Sequence, residues 1–176
     1  MKSKWVMALV VVLVGAGAYG GAVLATPSNG LSTSTLAKAT ASDLNLTGHA
    51  VVTTVGKDGK TRPTGIWLSW LKTFGLSDLY VIDNKILPGG TTGWHSHPGP
   101  SLIFVVAGAV TNYVGDEPGC PPHVYAAGSS FVDAGGTEVH TLRNEGTVDA
   151  ETIAMQFLPQ GAARRIDEPV PAGCPA

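Results

Sequence analysis

Charge is scarce in this chain. Only 14% of its 176 residues are Asp, Glu, Lys or Arg, and the formal net charge is −2, against about a quarter charged in an average globular domain. Such a balance gives no electrostatic case for a nucleic-acid partner. Cysteine is scarcer still, with two residues, and neither has a second cysteine nearby to complete a thiolate metal site. The chain has no nucleophile elbow, no P-loop and no dinucleotide fingerprint, and no repeat at solenoid spacing. What it does have is an ordinary apolar content of 44%, which argues against wholesale disorder, with 23 Gly and 12 Pro. Frequent turn formers favour short strands over long helices. The composition is that of a small, turn-rich β domain.

Part of the apolar content lies ahead of that domain. Lys2 and Lys4 precede an uncharged run from Trp5 to Ala25. A basic flank, an apolar stretch and the small-residue end Val23-Leu24-Ala25 read as a secretory signal over residues 1–25. The run is also long enough to span a bilayer as an anchor over residues 5–25, although Gly15, Gly17, Gly20 and Gly21 weaken its second half. Either way the rest of the chain lies outside the cytoplasm, with a membrane as partner only if the segment stays uncut. In an oxidising space Cys120 and Cys174 are expected to pair, tying the Pro-rich tail 169–176 to the domain.

Residues 26–45 are rich in Ser, Thr and Ala without strand alternation, and read as a linker, with a short helix expected around Leu36 to Leu44. From Leu46 to Glu168 short strands alternate with turns. Val51 to Val55 runs into Lys57-Asp58-Gly59-Lys60, where Asp58-Gly59 is a hairpin signal. Further strands are expected at Ile66–Leu71, Leu79–Leu87, Leu102–Val106, Val110–Val114, His123–Ala126, Ser130–Asp133, Val139–Arg143 and Glu151–Leu158. About nine strands at this spacing predict an all-β sandwich or barrel.

His95 and His97 carry the most chemistry. On an extended backbone, positions i and i+2 face the same way, with Cβ atoms about 6.5–7 Å apart. Two nitrogens at about 2.1 Å could then share one metal. A third ligand must come from another strand, and His140, within Val139-His140-Thr141-Leu142, is the candidate. The bland alternative is two loop histidines and one half-buried polar residue.

The surroundings tip the balance. Gly89 stands five intervening residues before His95 and Gly108 closes the following strand. Gly128 opens a later turn, and Asn144 follows His140 after three residues. This pattern resembles the two motifs of the cupin superfamily, and Thr92 to Pro100 looks like its small single-domain members. The resemblance covers Asp78 to Leu158 and reaches outward to Leu46 and Arg165. It implies a jelly-roll β-barrel, over about residues 46–168, with a metal inside. Two departures stand out. Ser101 occupies the place of the family's glutamate ligand. In the second motif Ala134 replaces a proline, and one extra residue precedes His140. The histidines therefore transfer and the fourth ligand does not.

A three-histidine site suits one divalent transition metal (Fe, Mn, Ni, Cu or Zn), with open positions for water, O₂ or substrate. The resemblance makes a dioxygenase-like reaction on a small molecule the first expectation. Isomerase or lyase chemistry, and a non-catalytic ligand-binding module at the cell surface, stay open. Glu138 and His123 are candidate additional ligands or pocket residues beside Ser101, each with a plainer reading as a surface group. Trp94 is expected to pack on the face opposite His95, and Trp67, Trp70 and Tyr80 to line the barrel mouth or the core. Association as a homodimer stays open.

Overall fold

A computed structural model describes residues 25–176. The expected signal or anchor lies outside the described residues, apart from its last residue, Ala25. Among the described residues there are twelve strands and no helix. They are β1 (Asn29–Ala41), β2 (Asn45–Val55), β3 (Thr61–Lys72), β4 (Ser77–Thr91), β5 (His95–Ser96), β6 (Ser101–Ala107), β7 (Ala109–Val114), β8 (His123–Ala126), β9 (Ser130–Asp133), β10 (His140–Arg143), β11 (Ala150–Pro159) and β12 (Ile166–Asp167). Ten of them form one sheet in the order β12-β5-β10-β4-β11-β6-β9, with β1 on β4, β7 on β10 and β8 on β7. The sheet curls into a jelly-roll barrel around Ile82, Ile86, Ile103, Val105, Val110, Phe131, Leu142, Ala150 and Ala154.

Two expectations at the N-terminal side are corrected. The linker and short helix expected within 26–45 are instead strand β1, antiparallel to β4 from Asn29 opposite Thr91 to Ala41 opposite Ser77. Its Ser/Thr/Ala composition hid it, because β4 supplies the partner edge and only Leu31 packs against the core. Threonines instead tie the strand down: Thr33 donates to Asn84 and Thr40 to Asp78, each at 2.8 Å, and Lys38 pairs with Asp78 at 3.2 Å.

Nor does the barrel extend unbroken from residue 46. β2 and β3 pair only with each other, as a separate two-stranded sheet, turning at Asp58-Gly59 as expected. Apolar residues stand on both of its faces. Val51, Ile66, Leu68 and Trp70 alternate with Leu46, Val52 and Trp67, all of them exposed. Alternation alone does not reveal which sheet a strand joins. Trp67 and Trp70 therefore line neither core nor barrel mouth, whereas Tyr80 packs against the core.

At the other end, Cys120 and Cys174 form a disulfide, with Cα atoms 5.2 Å apart. The tail it holds crosses Trp94, whose buried indole N–H donates to the Pro175 carbonyl at 3.0 Å. Arg143 donates to the Ala176 carbonyl. Trp94 packs, as its position beside His95 predicts.

Candidate metal centre

The barrel interior changes character along its strands. On β6 the inward residues run Val105, Ile103, Ser101, and on β11 they run Ala150, Thr152, Ala154, Gln156. Antiparallel register sets Ile103 opposite Ala154 and Ser101 opposite Gln156. One end of the barrel is thus apolar, and the other is lined by buried polar groups. Buried polar groups cost free energy unless each finds a partner, and Thr152 Oγ1 and His140 Nδ1 have none among the described residues.

The three histidines stand at the polar end. His95 on β5 and His140 on β10 are direct cross-strand partners, which explains why residues 45 apart in sequence meet. His97 lies just past β5 and turns inward beside them. Ring centroids are 4.5 Å apart for His95–His140, 4.9 Å for His95–His97 and 5.5 Å for His97–His140. All three are buried, and one nitrogen from each lies within 4.8 Å of the others. Gly93, just before His95, has φ +69° and no room for a side chain, since a Cβ there would meet the Thr26 carbonyl at 2.4 Å. Only glycine permits this turn into the site.

Backbone carbonyls orient two of the rings. His95 Nδ1 faces the Gly93 oxygen at 2.8 Å, and His97 Nδ1 faces the Arg164 oxygen at 2.5 Å. A carbonyl only accepts, so in the neutral rings Nδ1 carries the hydrogen and Nε2 turns a lone pair inward. His95 Nε2 lies 3.1 Å from His140 Nε2. Burial holds the His95 pKa well below its usual range, helped by His140 and Arg165. Burial likewise lowers His97, against the opposing pull of the Arg164 carbonyl and Asp133. It lowers His140 to about 4. Three neutral imidazoles with inward lone pairs, two of them oriented by hydrogen bonds at their far nitrogens and His140 Nδ1 without a partner, are the donor set of a divalent transition metal. The residues present fit such an ion.

The remaining candidates separate. Ser101 is buried in the site, and its hydroxyl donates to Asp133 Oδ2 at 3.2 Å while accepting from Gln156 Nε2 at 3.2 Å. Asp133 Oδ2 lies 3.7 Å from His97 Nε2. Glu138 is half-buried and lies with Asp133 and His140 in a second group of ligand-type atoms within 4.8 Å of one another. Burial, then the charge of Asp133, raises its pKa. His123 takes no part: it pairs with Glu117 at 2.6 Å on a half-exposed surface. Asn144 has a structural role, its amide donating to the Ile86 and Val148 carbonyls at 2.8 Å each.

A cavity of about 50 Å³ opens beside the histidines, lined also by Thr92, Ile103, Gln156, Arg164 and Arg165. The two arginines arrive because β12 pairs with β5, Asp167 opposite His95. Sequence reasoning missed Asp133, Gln156, Arg164 and Arg165. The one signal available was the inward parity of Asp133 and Gln156 on their strands.

Residues 84–155 match the family model for the cupin domain. No curated protein matches the chain significantly. Among similar solved structures is an oxalate oxidase in complex with the substrate analogue glycolate, at 23% identity and TM-score 0.44, covering 51% of this chain and 45% of that one. Another is an uncharacterised conserved protein with a double-stranded β-helix domain from Klebsiella pneumoniae, at 21% identity and TM-score 0.43, covering 51% and 75%. A third is a predicted oxalate decarboxylase from Thermotoga maritima, at 21% identity and TM-score 0.38, covering 48% and 83%. The chain therefore spans less than half the length of the oxalate oxidase it resembles. By the family-model match the barrel segment 84–155, which holds all three histidines of the site, is a cupin domain.

Proposed function

We propose that this cupin domain holds one divalent transition metal through His95, His97 and His140 and acts with it on a small oxygenated anion outside the cytoplasm. The observation that carries the reading is the convergence of three buried imidazoles beside a cavity. When bound, the metal would supply Lewis acidity toward a substrate oxygen and, if redox-active, activation of O₂. The chain's own residues do the rest. Burial keeps the rings neutral, and the Gly93 and Arg164 carbonyls hold them in line. Ile103, Leu142 and Ala154 supply the apolar part of the lining. Arg164, held by the Gln156 amide oxygen at 3.3 Å, brings positive charge to the lining, and Arg165 adds to it. Guanidinium groups recognise carboxylates through paired hydrogen bonds. The cavity, about 50 Å³ against about 30 Å³ for one water in the liquid, is small, so the anion is one of few heavy atoms.

O₂-dependent oxidation of such a molecule is the first reaction class, and lyase or isomerase chemistry the second. Metal analysis followed by O₂-uptake assays over a panel of small carboxylates tests the reading. Uptake that needs metal, with KM raised by Arg164→Gln, is expected. Tight binding of a carboxylate with no turnover would instead make the domain a ligand-binding module. The disulfide supports an oxidising compartment. Peptide mapping of protein recovered outside the cytoplasm should find Cys120 joined to Cys174, and also reports whether residues 1–25 are retained.

A further inference from the structure

The geometry points to Asp133 as the carboxylate ligand of this site, supplied from β9 in place of a glutamate at Ser101 on β6. The inference rests on the metal-binding reading above. Asp133 and Ser101 are direct cross-strand partners, both buried and both inward. Facing residues of an antiparallel pair have Cβ atoms about 4.5–5.5 Å apart, so a carboxylate lost from one can return on the other.

Three contacts aim Asp133 at the histidines, while the Glu138 carboxyl lies against it as well. Oδ1 accepts the Gly135 N–H at 2.8 Å. Gly135 has φ +70°, and a Cβ there would meet the Gly99 backbone at 2.3 Å, so the turn that presents this N–H requires glycine. Oδ2 accepts the Ser101 hydroxyl at 3.2 Å. Ser101 points its hydrogen that way because its oxygen is already taken by Gln156 Nε2. Oδ2 then faces His97 Nε2 across 3.7 Å. That nitrogen carries no hydrogen in the neutral ring, since Nδ1–H donates to the Arg164 carbonyl. With Nδ1 as the donor, His97 Nε2 and Asp133 Oδ2 are two buried acceptors facing each other, an arrangement that costs free energy until a cation fills it. His140 joins the two groups: one of its nitrogens lies within 4.8 Å of ligand atoms of Asp133 and Glu138, as one does of His95 and His97. Ser101 is then a positioning residue, and the departure from the family motif is a transfer of the carboxylate by one strand.

The test measures Mn²⁺ and Ni²⁺ binding by titration calorimetry to metal-stripped full-length protein, with unfolding midpoints as a folding control. Asp133→Asn, nearly isosteric, should weaken Mn²⁺ binding on the order of 10–100-fold. Ni²⁺, better suited by imidazole, should lose less. Glu138→Gln should weaken binding less than Asp133→Asn, and Glu117→Gln, in the surface pair with His123, should leave both unchanged. Ser101→Glu should weaken binding by setting a second carboxylate against Asp133, and Ser101→Glu/Asp133→Ser should recover it. Unchanged Mn²⁺ affinity in Asp133→Asn, beside loss of binding in His95→Ala, overturns this assignment and leaves the three-histidine reading standing. Tighter binding by Ser101→Glu alone, or a loss confined to Glu138→Gln, overturns it as well. Wild-type protein that binds neither ion overturns both readings.

Discussion

Opening the Cys120–Cys174 bond should destabilise the domain by an amount that the chain itself sets. The cysteines are 54 residues apart, and loop-closure entropy for a ring of that length gives about 4 kcal/mol at 25 °C. For a domain of this size, that corresponds to a fall in Tm of about 8–16 °C. Part of the loss should appear locally. The freed tail would withdraw the Pro175 carbonyl from Trp94 and the Ala176 carbonyl from Arg143. Urea unfolding of wild type and Cys174→Ser, followed by tryptophan emission and far-UV circular dichroism, measures both effects. The variant should unfold at lower urea, with a red shift of Trp94 emission already present in the folded baseline. Equal midpoints for the two proteins would refute the reasoning, because the entropy of the open chain would then not be limiting.

Other consequences follow from particular contacts. Trypsin should cut after Lys57 or Lys60 in the isolated hairpin well before it cuts after Lys38, which is held in β1 against β4; early cleavage at Lys38 would restore the linker reading. Asn144→Ala withdraws the amide from the buried Ile86 carbonyl and the partly buried Val148 carbonyl and should lower stability by about 1–3 kcal/mol, measured by chemical denaturation. Metal-stripped protein should lose stability as pH falls from about 6.5 toward 4. His140 has a folded pKa of about 4, below its unfolded value, so the unfolded state takes up the proton first. Denaturation midpoints that stay flat across that range would contradict the burial of the ring.

How far the sequence spoke for itself differs from residue to residue. His95, His97 and His140 stood out because an i, i+2 pair and a motif partner can be read along one dimension. The bounds of β8 and β9 were equally plain, since turn residues frame both runs. β1 was hidden because its Ser/Thr/Ala run buries little, and its order comes from hydrogen bonds to β4. The two-residue strands β5 and β12 are too short for any periodicity to declare. Asp133 needed the register of β6 on β9, and Arg164 needed the return of β12 along β5. Contacts that exist only after strands pair across 30 residues or more leave no local trace.

Titration of metal-stripped wild-type protein and of His95→Ala/His97→Ala with Mn²⁺, Ni²⁺ and Zn²⁺ bears most directly on the metal centre. Wild type should take up one ion per chain, and the double variant, still folded as an all-β domain, should take up none. Wild-type protein that binds no ion, or a double variant that keeps one per chain, would contradict it.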